Sequence, residues 1–209
     1  MYIGTTNFGK VREIFSLLSP LGIKLETVSL DKLEETGNSL IENAIIKAMA
    51  YASISGGITL SEDSGLFIPA LGNLPGIWSA RFYDLDVTNN IIIDSNKSHQ
   101  EMDDLNNNKV LSMMSEFDMP RRAASFKVAM VVAHNGKILF QSESEYAGWI
   151  SNECRGDKGF GYDSIFIGQD TFGKTLAEID GVRKNLRSHR KRVLDDLFVW
   201  ASSNIGVLR

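Results

Sequence analysis

The first sixty residues alternate short apolar runs with longer amphipathic ones, and this alternation constrains the fold more than any other feature. Met1 to Thr5 has room only for a short strand. Val11, Ile14, Phe15 and Leu18 then recur at helical spacing until Pro20 and Gly22 stop the pattern. Lys24 to Leu30 alternates as a strand does, and Ser39-Leu40-Ile41-Glu42 reads as a capping box for a helix running to about Ser55, where Gly56-Gly57 ends it. A further strand is expected from Ile58 to Ser61, ending at the acidic pair Glu62-Asp63. Strand and helix in turn, at these lengths, predict an α/β sheet with helices packed on it.

The middle of the chain changes character. Between Asp84 and Asn108 it is polar and Asn-rich, with Ile91-Ile92-Ile93 as its one apolar island, which predicts short helices and mobile loop. Ser125 to Ala133 and Lys137 to Tyr146 flank His134-Asn135-Gly136, a strong hairpin signal, so two long antiparallel strands are expected there. Val193, Leu194, Leu197, Phe198 and Ala201 mark an amphipathic C-terminal helix. At 209 residues, with no internal repeat or low-complexity linker, the expected organisation is one domain over residues 1–209, or a domain with a smaller lobe.

Composition narrows the setting and the chemistry. No window holds the roughly 18 uninterrupted apolar residues of a membrane helix, and the N-terminus lacks a basic and then apolar leader, so a cytoplasmic protein without a membrane partner is expected. Cys154 is the single cysteine, which rules out an intrachain disulfide. The three histidines, His99, His134 and His189, show no zinc-ligand spacing with it. Ser64 lacks the glycine two residues before it that a nucleophile elbow requires, which argues against a serine hydrolase. A net charge of -4 argues against a dedicated nucleic-acid binder while leaving local basic patches open.

Three segments carry candidate chemistry. Gly4-Thr5-Thr6-Asn7-Phe8-Gly9-Lys10 supplies the glycines and lysine of a P-loop, but Val11 stands where a magnesium-binding hydroxyl belongs. A helix N-terminus there favours an anion with or without the full motif, and a plain βα turn capped by Asn7 fits the segment equally well. The run Arg183 to Arg192 is basic without interleaved aromatics, and Ser188 as N-cap would set His189 and Arg190 on a first helical turn, where cations are unfavourable unless an acceptor is near. Gly159-Phe160-Gly161-Tyr162-Asp163 combines glycines that admit close backbone approach with aromatics able to stack on a base. Acidic pairs at Glu34-Glu35 and Glu62-Asp63 suit magnesium, which binds through one or two carboxylates plus substrate phosphates.

Taken in order, these blocks resemble the inosine triphosphate pyrophosphatase family. The resemblance spans most of the chain and rests on Thr5 to Lys10, Glu34-Glu35-Thr36-Gly37, Ile41-Glu42-Asn43-Ala44, Glu62-Asp63-Ser64-Gly65-Leu66, Leu74-Pro75-Gly76-Ile77-Trp78-Ser79-Ala80-Arg81, Gly159 to Asp163 and Ser188-His189-Arg190. It implies an elongated α/β fold with a mixed sheet and flanking helices, two lobes with a central cleft, and a homodimer. It implies magnesium-dependent hydrolysis of non-canonical purine nucleoside triphosphates (ITP, dITP, XTP) to monophosphate and pyrophosphate. By the same resemblance Thr5, Thr6, Asn7, Phe8, Gly9 and Lys10 hold the triphosphate. Glu34 and Asp63 bind the metal, Asp63 also accepts the proton, and Ser64 touches the nucleotide. Phe160, Gly161, Tyr162, Asp163, Lys184, His189 and Arg190 complete the nucleotide and base pocket. The chain departs from the family in having Thr6 for a usual glycine, Ser164 for a usual proline, and a longer region between Asp84 and Asn108. Two other functions remain open on the residues: a nucleic-acid-binding module using 183–192, which the resemblance argues against as a stable complex, and a P-loop-like ATPase.

Overall fold

A computed structural model describes residues 1–5, 8–30, 33–85, 97–180 and 189–204. Its centre is a seven-stranded mixed sheet. β1 (Tyr2–Gly4) lies parallel to both β2 (Glu26–Val28) and β3 (Thr59–Ile68). The remaining strands are β4 (Leu74–Pro75), β5 (Ala123–His134), β6 (Lys137–Ile150) and β7 (Phe166–Gly168). The order across the sheet is β2-β1-β3-β5-β6-β7, with β4 antiparallel to β3 outside that path.

The local signals act where the sequence puts them. Helix α1 (Phe8–Leu18) gives way to a 3₁₀ turn at Ser19–Leu21, and Gly22 closes it in the left-handed conformation. Helix α2 (Leu40–Ser55) starts at Ser39, whose hydroxyl accepts from Glu42 N, and stops at Gly56. The Glu42 carboxylate accepts from Asn38 N at 2.7 Å, one residue earlier than the reciprocal bond of a capping box. Asn135 and Gly136 both have positive φ (48° and 72°), the backbone a tight β5–β6 turn needs to match strand twist.

Three expectations fail. β2 covers only Glu26–Val28. β3 does not end at the acidic pair: it runs ten residues through Asp63 to Ile68, because β5 flanks it in the sheet and β4 pairs with its last residues, Phe67 and Ile68. Among the described residues the polar stretch before residue 114 forms a fifteen-residue helix, α3 (His99–Met113), rather than short ones, opened by a full capping box between Ser98 and Glu101. The Ile91-Ile92-Ile93 island lies outside the described residues.

Two compact units emerge. The first comprises Met1–Ser64, Val128–Ser144 and Ser188–Arg209, the second Gly65–Lys127 and Glu145–Arg187. The first unit's core joins Ile3 and Leu60 of the sheet to Ile14 and Leu18 of α1, and to Val193, Leu194 and Leu197 of the C-terminal helix α4 (His189–Ser203). The second gathers Leu66, Ile68, Val110, Met114, Phe126, Tyr146, Phe166 and Leu176. In that unit Gly65 has no room for a side chain, since a Cβ there would overlap the Gly76 carbonyl, and Leu66 N donates to Ser79 Oγ at 2.9 Å beside it. No helix among the described residues is long and apolar enough to cross a membrane.

Candidate active site

Successive side chains on a strand point to opposite faces of the sheet, so continuing β3 through Glu62 and Asp63 sends the two carboxylates apart. Glu62 shares its face with Leu60, under α1 and α4. Asp63 faces α2, on the side where Ser61 Oγ donates to Gly4 O at 3.1 Å.

On the first face the charges neutralise one another. Arg190, in the first turn of α4, gives Nε to Glu62 Oε2 at 2.6 Å and Nη2 to Glu62 Oε1 at 3.1 Å. Its Nη1 pairs with Glu13 of α1. Lys10 Nζ lies 3.1 Å from Glu62 Oε1. The Glu62 side chain is 0% exposed and that of Arg190 is 3% exposed, so each charge depends on its partners. Burial pushes the Glu62 carboxyl up, but Arg190 and Lys10 outweigh it and hold it well below the usual carboxylate range. Burial likewise opposes the Arg190 cation, and Glu62 with Glu13 reverses that, raising it. The acceptors for a cation placed unfavourably at a helix start are thus internal glutamates. Arg190 Nη2 also lies 3.4 Å from Ser64 Oγ.

On the second face Asp63 is held by α2. Lys47 Nζ donates to Asp63 Oδ1 at 2.7 Å and Asn43 Nδ2 to Asp63 Oδ2 at 3.3 Å. Asn43 and Lys47 stand four residues apart on one stripe of the helix. The same two residues secure the acidic loop: Asn43 Oδ1 accepts from Gly37 N at 2.9 Å, and Lys47 Nζ reaches Glu35 Oε1 at 3.3 Å. Burial works against the Lys47 cation, yet Asp63 and Glu35 together raise it above its ordinary value. Glu35, then, joins the network, whereas Glu34 is exposed.

In the second unit the Gly159–Asp163 run forms a tight turn. Phe160 N donates to Asp163 Oδ2 at 2.9 Å, and Asp163 N returns to Phe160 O at 3.3 Å. Tyr162 is core: its ring is buried and its hydroxyl donates to Ser79 O at 2.7 Å. Phe160 is the half-buried aromatic of the pair.

Of the residues expected from sequence, the structure brings Lys10, Ser64, His189 and Arg190 into the first unit with Asp63, and His189 is buried. Thr5 follows β1 at partial exposure, and Phe8 and Gly9 open α1. Thr6, Asn7 and Lys184 lie outside the described residues, as does the expected N-cap Ser188. Sequence reasoning missed Lys47, Glu13 and the part played by Glu35. One signal was available for Lys47: a lysine in the buried stripe Leu40, Asn43, Ala44, Lys47, Ala48 and Tyr51 needs a charged partner. For Glu13 there was none.

The donor set suits a hard divalent cation. Among the described residues no three His, Cys, Asp or Glu side chains converge; magnesium characteristically binds through one or two carboxylates plus a ligand's phosphates. Asp63 and the Glu34-Glu35 loop are the oxygen donors on the α2 face.

A mixed α/β sheet whose central strand carries an ion-paired glutamate on one face and a lysine-held aspartate on the other defines an α/β protein with paired charges on both faces of its central strand. More particularly, the chain belongs to the Ham1 family, whose sequence model matches residues 1–200. It is 39% identical over 198 residues to the dITP/XTP pyrophosphatase of Aquifex aeolicus, covering 94% of each protein. It is 37% identical over 211 residues to that of Streptococcus mutans, covering 97% of this chain and 60% of the relative, so the chain spans only part of the length of the streptococcal proteins it matches. The solved HAM1 protein of Coxiella burnetii superposes with a TM-score of 0.77 at 31% identity, covering 97% of this chain and 98% of that one.

Proposed function

We propose that this chain hydrolyses non-canonical purine nucleoside triphosphates (ITP, dITP, XTP) to the monophosphate and pyrophosphate, with magnesium as cofactor. The observation that carries the reading is Asp63: a nearly buried carboxylate fixed from both sides by Lys47 and Asn43, in a chain of the Ham1 family whose relatives are dITP/XTP pyrophosphatases. Asp63 and Glu34, with Glu35 beside it, are the residues to hold magnesium, which when bound neutralises triphosphate charge and polarises the phosphoryl oxygens. Asp63 accepts the proton of the attacking water. Lys47 orients Asp63 and places a second positive charge beside the reacting phosphate.

Thr5, Thr6, Asn7, Phe8, Gly9 and Lys10 receive the triphosphate near the start of α1, since the positive end of a helix favours an anion. Lys10 would then divide its charge between Glu62 and the phosphates. Ser64, His189 and Lys184 contact the nucleotide, and Arg190, expected beside them but enclosed and held by Glu62 and Glu13, acts through Ser64, which it orients. Phe160 stacks on the base, while Gly161, Tyr162 and Asp163 shape the turn that presents it, since α3 takes both polar groups of Gly161, the Tyr162 hydroxyl serves the core and the Asp163 carboxylate holds Phe160 N. A cytoplasmic homodimer is the expected state. A stable nucleic-acid complex through 183–192 is disfavoured by the internal acceptors of Arg190 and by the Lys191–Asp195 pair.

Phosphorus NMR of products from ITP or XTP with magnesium tests the reading. Pyrophosphate and monophosphate as first products are expected. Orthophosphate first would favour an ATPase, and no turnover with tight, salt-dependent oligonucleotide binding would favour a nucleic-acid module.

A further inference from the structure

Helix α3, the Asn-rich segment to which the sequence assigned no role, spends its polar residues on other segments' backbone. Asp103, Asn106 and Asn107 stand at i, i+3 and i+4 and therefore share one face. Asp103 Oδ2 accepts from Gly161 N at 2.7 Å, and Asn107 Nδ2 donates to Gly161 O at 2.9 Å. Both polar groups of one glycine are thereby taken by one helix. Asn106 Nδ2 donates to Ser79 O at 3.3 Å, the carbonyl that also receives the Tyr162 hydroxyl.

A side-chain clamp on that glycine has a physical reason. Gly159 and Gly161 both have positive φ (83° and 63°), so Phe160 sits between two residues of the most conformationally free type. A Cβ on Gly161 would meet nothing within 4 Å, so packing does not immobilise it and hydrogen bonds must. Burying a carboxylate is costly: burial raises the Asp103 carboxyl above its ordinary value, and the bond from Gly161 N only partly offsets it. A stability role alone does not call for a charged acceptor there.

We propose that Asp103 and Asn107 are positioning residues that fix the Phe160-Gly161 peptide, and with it the aromatic that meets the nucleobase, and so set discrimination among purine triphosphates. This rests on the assignment of Phe160 to the base. The test is steady-state kinetics on ITP, XTP and ATP for Asp103→Ala, Asp103→Asn and Asn107→Ala, with Phe160→Ala in parallel and melting temperatures for all. Asp103→Ala should raise KM for ITP about tenfold, change kcat less than about threefold, and lower the ITP-over-ATP ratio of kcat/KM about fivefold. Asp103→Asn, whose amide oxygen still accepts from Gly161 N, should recover most of that ratio, and Asn107→Ala should lose part of it. Should Asp103→Ala not fold, the ratio in Asp103→Asn and Asn107→Ala decides. Unchanged KM and ratio in the folded clamp variants, beside a raised KM in Phe160→Ala, would overturn the proposal while leaving the base assignment standing. Unchanged values in Phe160→Ala would remove that assignment and the clamp's role with it.

Discussion

The two faces of β3 bear adjacent carboxylates with opposite fates. Glu62 lies under α1 and α4, wholly enclosed and held by Arg190 and Lys10, in an ion cluster that Arg190 extends to Glu13. Asp63 lies under α2, held by one lysine and one amide, with the acidic Glu34-Glu35 loop secured by the same two residues. A carboxylate saturated by guanidinium has no capacity left for chemistry, and its role is architectural. One bound by a single ammonium and a long amide contact retains lone pairs for a ligand. The comparison teaches that in an acidic pair on a strand, the partner set and not the residue type separates the structural acid from the reactive one.

The sharpest way to break this contrast is Asp63→Asn. Turnover of ITP should fall by about 10³-fold or more with the melting temperature within a few degrees of the parent. Near-normal turnover at saturating magnesium would make Asp63 a second structural acid. Arg190→Met should do the converse on the other face. Removing one partner of a buried cluster strands the glutamates at a cost of about 3–5 kcal/mol, read as a lower denaturant midpoint. Unchanged stability would mean that the cluster is not architectural.

Lys47→Met should lower kcat by about 10²-fold, the scale for loss of one preorganised charge at a developing anion, with Lys47→Arg less impaired. An effect confined to stability would place Lys47 with the Glu62 cluster. Acid stability sharpens the contrast further. The folded Glu62 carboxyl titrates below its unfolded value of about 4.3. Its contribution is therefore complete above that pH and is lost as pH falls toward the folded value, with a slope of up to about 1.4 kcal/mol per pH unit. Glu62→Gln should flatten stability against pH below about pH 4 and leave it unaltered in slope at neutrality. The smallest effect concerns the loop acids: Glu34→Gln should raise the magnesium requirement by roughly tenfold and Glu35→Gln by about threefold, since a single carboxylate ligand is lost or displaced. The reverse order would make Glu35 the metal ligand.

What short-range physics controls is legible along the chain. The α1 stop at Pro20 and Gly22, the Ser39 and Gly56 caps of α2, the Asn135-Gly136 turn and the α/β alternation all follow from residues within a few positions of one another. The ordered blocks that mark the family were legible for the same reason. The extent of β3 was not, because a strand continues wherever a partner pairs with it, and β4 pairs beyond Asp63. Which charges meet depends on contacts between residues far apart in the chain. Arg190 finds Glu62 across 128 positions and Glu13 across 177, and Asp103 finds Gly161 across 58. A basic run in sequence carries no record of an internal acceptor, since an ion pair depends on distance and burial in space, and neither exists until the sheet has brought its helices together.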